Sequence, residues 1–136
     1  MPTISTLYKG NLRTEAIHVK SGNKLVTDAP TDNNGKGETF SPTDLLAASL
    51  GSCMLTIMGI VAEKNNIDIE NTNVETIKIM GENPRKVQKI EITISMPHNN
   101  YSEKEKKLLY NAAVNCPVAK SLNQNLIQEI TITYPK

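Results

Sequence analysis

Residues 45–62 are apolar at nearly every position, a run of about 18 residues, which is the length that spans a bilayer. Whatever this chain folds into must cover that run. Its boundaries are those of a helix. Ser41 can cap, Pro42 suits a first turn whose N–H groups no helix satisfies, and Asp44 stands where a capping-box acid reaches back to the cap amide. The polar stretch Glu63, Lys64, Asn65, Asn66 stops it. Ser49, Gly51, Ser52, Cys53 and Thr56 dilute the run, and the flanking segments alternate like half-buried strands, which need an apolar partner. The run therefore reads as the buried central helix of a soluble protein rather than a membrane span.

Before it, residues 4–9, 12–20 and 24–27 read as strands, with a turn at Ser21, Gly22 and Asn23 and a loop over 30–37. After it, residues 74–80 and 86–96 read as strands. In the second, Ile90, Ile92, Ile94 and Met96 alternate with Glu91, Thr93 and Ser95, as in an antiparallel sheet with one wet face. Ser102 and Glu105 form a second capping box. The helix they open runs through Leu108, Leu109 and Ala113, and Pro117 breaks it. A short helix over 117–123 precedes a last strand carrying Ile130, Ile132 and Tyr134. The order predicts one α+β domain, residues 1–136.

The net charge of +1 comes from 15 basic and 14 acidic residues spread along the chain. Nucleic-acid binders cluster their cations to neutralise phosphates. Here Lys104, Lys106 and Lys107 alternate with Glu103 and Glu105, which reads as a solvated helix face, so no nucleic-acid partner is expected. The N-terminal residues show no export signal, and two cysteines are too few for a secreted disulfide scaffold. A cytoplasmic location follows as the expectation, and there a thiol pair is a redox device more readily than a staple.

Cys53 and Cys116 are the two cysteines. Cys53 lies within the apolar helix behind Gly51 and Ser52, and reads either as a small core residue or as a thiol that other groups can approach. Cys116 directly precedes Pro117. Unpaired amides and the dipole of a new helix there favour an anion, so a lowered pKa is expected. A metal would need both thiols with His18 or His98, but no CxxC or HxxxH spacing is present, so neither metal nor cofactor is expected. His98 reads as a loop residue and His18 as a partly buried strand histidine. Arg13 and Glu15 share one strand face, where Glu15 could pair with the arginine or simply form a surface ion pair.

The stretch from Phe40 to Cys53, Phe-Ser-Pro-Thr-Asp-Leu-Leu-Ala-Ala-Ser-Leu-Gly-Ser-Cys, resembles the first cysteine motif of the OsmC/Ohr family. Cys116 to Leu122, Cys-Pro-Val-Ala-Lys-Ser-Leu, resembles the second, and Gly10 to Arg13 and Ser21 to Pro30 resemble its N-terminal strands. The resemblance implies antiparallel sheets wrapped around a long central helix in an intertwined homodimer. It also implies a thiol peroxidase for organic hydroperoxides. Cys53 would become a sulfenic acid, Cys116 would resolve it as a disulfide, and an external dithiol would reduce the pair. Arg13 is the implied partner of the Cys53 thiolate. Ohr-type proteins carry a glutamate ten positions before the first cysteine to hold that arginine. Here Thr43 occupies the position, and Asp44, Glu38 and Glu15 are the candidate substitutes. This places the chain in the divergent OsmC-like branch.

Leu50, Met54 and Ile57 flank Cys53 within about one helical turn and could line an apolar peroxide pocket, or serve as plain core. Two other functions compete: a dimeric small-molecule-binding or redox-sensing protein, and a Cys53 hydrolase or transferase using His18 as its base.

Overall fold

The computed structural model describes residues 1–136 in two compact units, Met1–Leu46 and Ala47–Lys136. The first holds an antiparallel sheet of β1 (Ile4–Gly10), β2 (Arg13–His18) and β3 (Lys24–Asp28). The β1–β2 turn passes through Gly10, Asn11 and Leu12 with φ of 88°, 55° and 63°. Left-handed backbone is rare for a leucine, and Tyr8 helps to hold it there, its Oη accepting the Leu12 N–H at 3.2 Å. No apolar side chain of this unit is fully buried, and Ile4, Leu7, Tyr8 and Leu25 are all exposed.

The long helix α1 (Pro42–Lys64) starts as the sequence predicts. Ser41 Oγ accepts the Asp44 N–H at 3.0 Å, and Asp44 Oδ2 accepts the Ser41 N–H at 3.0 Å. The stop is a left-handed Asn66, φ 55°, with the Ile67 N–H bonded back to the Ala62 carbonyl at 2.9 Å. Between these ends, Ala47, Leu50, Gly51, Met54, Met58 and Ala62 are buried, a stripe spaced as one helix face.

In the second unit that stripe packs on a sheet of β4 (Asn73–Gly81), β5 (Lys86–Ser95) and β6 (Ile127–Thr133). Ile90, Ile92 and Ile94 point inward from β5, as their alternation predicts. Gly51 marks the closest approach: a Cβ there would lie 3.1 Å from Val74 Cγ1. The sheet is mixed. β4 and β5 are antiparallel, but β6 runs parallel to β5, which requires a crossover. That crossover is α2 (Glu103–Val114) followed by α3 (Pro117–Ser121). The α2 capping box forms as expected, and Leu109, Ala112 and Ala113 join the core. The elements are the α+β set read from the sequence.

α1 is long and apolar enough to cross a membrane by length and composition, and a third of its most apolar 18-residue stretch is buried within one chain.

Candidate functional site

The two cysteines come together in the second unit. Cys53 is half-buried on α1 and Cys116 is fully buried, and both are free thiols. Cys116 sits at the N-cap of α3 with extended backbone, φ −67° and ψ 153°, and Pro117 occupies the first turn. Its Sγ accepts the Ala119 N–H at 3.4 Å. Cys53 is near enough to Cys116 to bear on its ionisation.

The expected low pKa of Cys116 is overturned. Burial pushes this thiol up, and Cys53 pushes it further. The amides of Ala119 and Val118 pull the other way and lose. The reason is size and depth: α3 has five residues, too short for a strong dipole, and Cys116 has no exposed surface. Cys116 is thus held as a protonated thiol, while Cys53 is the sulfur with a route to solvent.

The apolar surroundings of Cys53 divide. Leu50 and Met54 have no exposed surface and are core, so they line no pocket; Ile57 alone of the three is partly exposed. A groove of about 320 Å³ runs along the neighbouring face of α1, between Ala48, Ser52 and Leu55 and the start of β4 at Asn73 and Val74, and contains neither cysteine.

In the first unit, Arg13 is held by acids, though not by Glu15. Arg13 and Asp28 are direct register partners across β2 and β3. Nε donates to Asp28 Oδ1 at 2.7 Å and Nη2 to Asp28 Oδ2 at 2.9 Å, a two-pronged ion pair. Nη2 also reaches Glu38 Oε1 at 3.1 Å, and the Glu38 N–H donates to Asp28 Oδ2 at 3.2 Å. Asp28 is 1% exposed. The Arg13 guanidinium holds its carboxyl below the usual range, and Asp28 in turn raises the Arg13 pKa. Of the proposed substitutes for the glutamate, Glu38 makes one contact and Asp44 is engaged in the α1 cap. Thr43, at the glutamate position, places its hydroxyl 3.2 Å from Ser41 Oγ.

Asp28 was not among the acids that sequence reasoning offered, although a signal existed. The turn at Ser21 and Gly22 pairs His18 with Asn23, and counting outward from that pair sets Arg13 opposite Asp28.

His98 lies in a loop, as expected, whereas His18 is not partly buried. His18 ends β2, exposed, with Nδ1 2.6 Å from Ser21 Oγ. His98 is stacked on Tyr101 with ring centroids 4.3 Å apart, and its Nδ1 accepts the Asn100 N–H at 3.1 Å. No group of three or more His, Cys, Asp or Glu side chains is placed to hold a metal ion.

Comparison with known proteins identifies the fold and the family. The family described as OsmC-like protein matches residues 35–131. A protein from Psychrobacter arcticus 273-4, provisionally described as an osmotic stress induced and detoxification response protein, is 50% identical. The match covers 98% of this chain and 96% of that one, with a TM-score of 0.93. An OsmC-like protein from Mycoplasma pneumoniae shares the fold at 19% identity, 98% and 96% coverage and a TM-score of 0.78. An organic hydroperoxide resistance protein from Elizabethkingia anophelis does so at 17% identity, 99% and 98% coverage and a TM-score of 0.75. No curated protein matches the chain. The chain belongs to the OsmC-like family.

Proposed function

We propose that this OsmC-like chain is a thiol peroxidase that reduces organic hydroperoxides, and hydrogen peroxide less well, using Cys53 and Cys116. The observation that carries the reading is the pairing of a half-buried Cys53 with a fully buried, protonated Cys116 beside it. The Cys53 thiolate attacks the distal oxygen of the hydroperoxide. The O–O bond breaks, the alkoxide leaves and takes a proton to become an alcohol, and Cys53 becomes a sulfenic acid. The Cys116 sulfur then attacks Cys53 Sγ. Its thiol proton leaves with the sulfenic hydroxyl as water, and a disulfide results. An external dithiol returns both sulfurs to thiols. Arg13 serves as the cation that steadies the thiolate and the departing oxygen. The cycle uses no metal and no cofactor.

The working unit in this reading is a homodimer. Two features of the single chain support it: a first unit without a buried apolar side chain, and a central helix two-thirds of whose apolar stretch is less than fully buried. A second copy burying both satisfies the same hydrophobic demand. With its helix so covered, the protein works in the cytoplasm.

The test is consumption of cumene hydroperoxide and of hydrogen peroxide by the reduced protein. With dithiothreitol the protein is expected to turn over many equivalents, faster with the organic peroxide, and Cys53→Ser none. No loss above the Cys53→Ser control would move the protein to the binding or redox-sensing reading that Thr43 favours.

A further inference from the structure

We infer that Asp28 is the positioning carboxylate for Arg13, gripping Nε and Nη2 and leaving Nη1 as the free edge of the guanidinium. The inference rests on the peroxidase reading and adds to it a residue that the Thr43 position leaves to be found.

Four facts point to Asp28 over the other acids. It alone makes two bonds to Arg13, at 2.7 and 2.9 Å, while Glu38 makes one at 3.1 Å. It is 1% exposed, whereas the Glu38 side chain is 62% exposed, so the Asp28 bonds are shielded from water and those of Glu38 are screened. Its own place is fixed. The Glu38 N–H bonds its Oδ2, its own N–H donates to the Phe40 carbonyl at 3.0 Å, and the next residue, Ala29, donates to the Leu12 carbonyl at 3.0 Å. Finally, Arg13 follows a leucine held in left-handed backbone, so both ends of the ion pair are anchored by main chain. The short side chain suits the register. Residues directly opposite on antiparallel strands have Cβ atoms about 5 Å apart, a span that an aspartate and an arginine close with both prongs.

The remaining donors decide the consequence. Asp28 and Glu38 together occupy Nε and Nη2, and Nη1 carries no protein partner. A guanidinium fixed on one edge presents its other edge in one orientation. Catalysis by positioning is sensitive to such placement, since about 1 Å of misplacement costs about 100-fold.

The experiment is a double-mutant cycle of Arg13→Gln and Asp28→Asn on kcat/KM for cumene hydroperoxide, with melting curves of each variant. Each single change is expected to cost about 100-fold, and the double variant no more than Arg13→Gln alone, because Asp28 acts through Arg13. Glu38→Gln should cost no more than about fivefold, as for an exposed ion pair. A further loss when Asp28→Asn is added to Arg13→Gln would make Asp28 merely structural and overturn the inference. Full activity of Asp28→Asn beside an impaired Arg13→Gln would also overturn it, while leaving the peroxidase reading intact. Should Asp28→Asn fail to fold, Asp28→Glu carries the same cycle, keeping the charge and moving it by one methylene. Turnover that survives in Cys53→Ser would instead sink the peroxidase reading, and this inference with it.

Discussion

Oxidation of the cysteine pair should stiffen the protein by a calculable amount. Cys53 lies on α1 and Cys116 at the head of α3, both in the second unit, and a bond between them closes a loop of about 60 residues. Loop closure of that length lowers the entropy of the unfolded chain by about 4 kcal/mol at 25 °C. One native contact is lost in exchange. Cys116 Sγ caps α3 by accepting the Ala119 N–H at 3.4 Å, and turning the sulfur toward Cys53 gives up that cap, at most about 1 kcal/mol. The net gain is about 3 kcal/mol. With an unfolding entropy of about 2.1 cal/mol/K per residue, a chain of 136 residues should melt about 10 °C higher when oxidised. The assay is calorimetric melting of the reduced protein and of protein treated with one equivalent of cumene hydroperoxide. Both are run at one concentration, because a dimer's midpoint depends on it. Cys116→Ser treated in the same way should gain nothing. An oxidised protein that melts at or below the reduced one would refute the reasoning, since the bridge would then strain the native fold by as much as it restrains the unfolded chain.

Two stability predictions follow from the packing and the ion pair. Leu50→Ala removes a side chain with no exposed surface from the face of α1 against β4 and β5, and should cost about 2–5 kcal/mol by urea unfolding; a cost below about 1 kcal/mol would mean that this face is loosely packed. Asp28, whose carboxyl pKa is lowered by Arg13, contributes stability above its unfolded value of 3.8 and loses it as pH falls through the folded value. The melting difference between the native protein and Asp28→Asn should therefore be constant above about pH 5 and shrink below about pH 4; a constant difference down to pH 2 would show that the carboxyl charge is not what Arg13 holds.

The helical and strand elements were legible because each carried a local signal. The Ser41 and Ser102 capping boxes, the Asn66 stop, the strict alternation of β5 and the break at Pro117 all rest on interactions within a few residues. What stayed hidden depended on long-range geometry. The parallel direction of β6 is set by the α2–α3 crossover rather than by its own alternation, which reads alike in either direction. The Cys116 pKa was misjudged because helix position is local and burial is not. Asp28 fell just beyond the strand read over 24–27, yet strand pairing sets it opposite Arg13, and of the acids closer to the family position Asp44 is taken up by a helix cap while Glu38 reaches Arg13 through one exposed bond. Leu50 and Met54 show the limit of neighbourhood as an argument: both adjoin Cys53 on α1, and both face the core.

The most direct test of the two-cysteine account is the intact mass of the protein after one equivalent of cumene hydroperoxide without reductant. The native chain should lose two hydrogens as the Cys53–Cys116 disulfide forms, Cys116→Ser should gain one oxygen as a trapped sulfenic acid, and Cys53→Ser should keep its mass. Oxygen added to Cys53→Ser, or a native chain left at its reduced mass after the peroxide is consumed, would contradict the account.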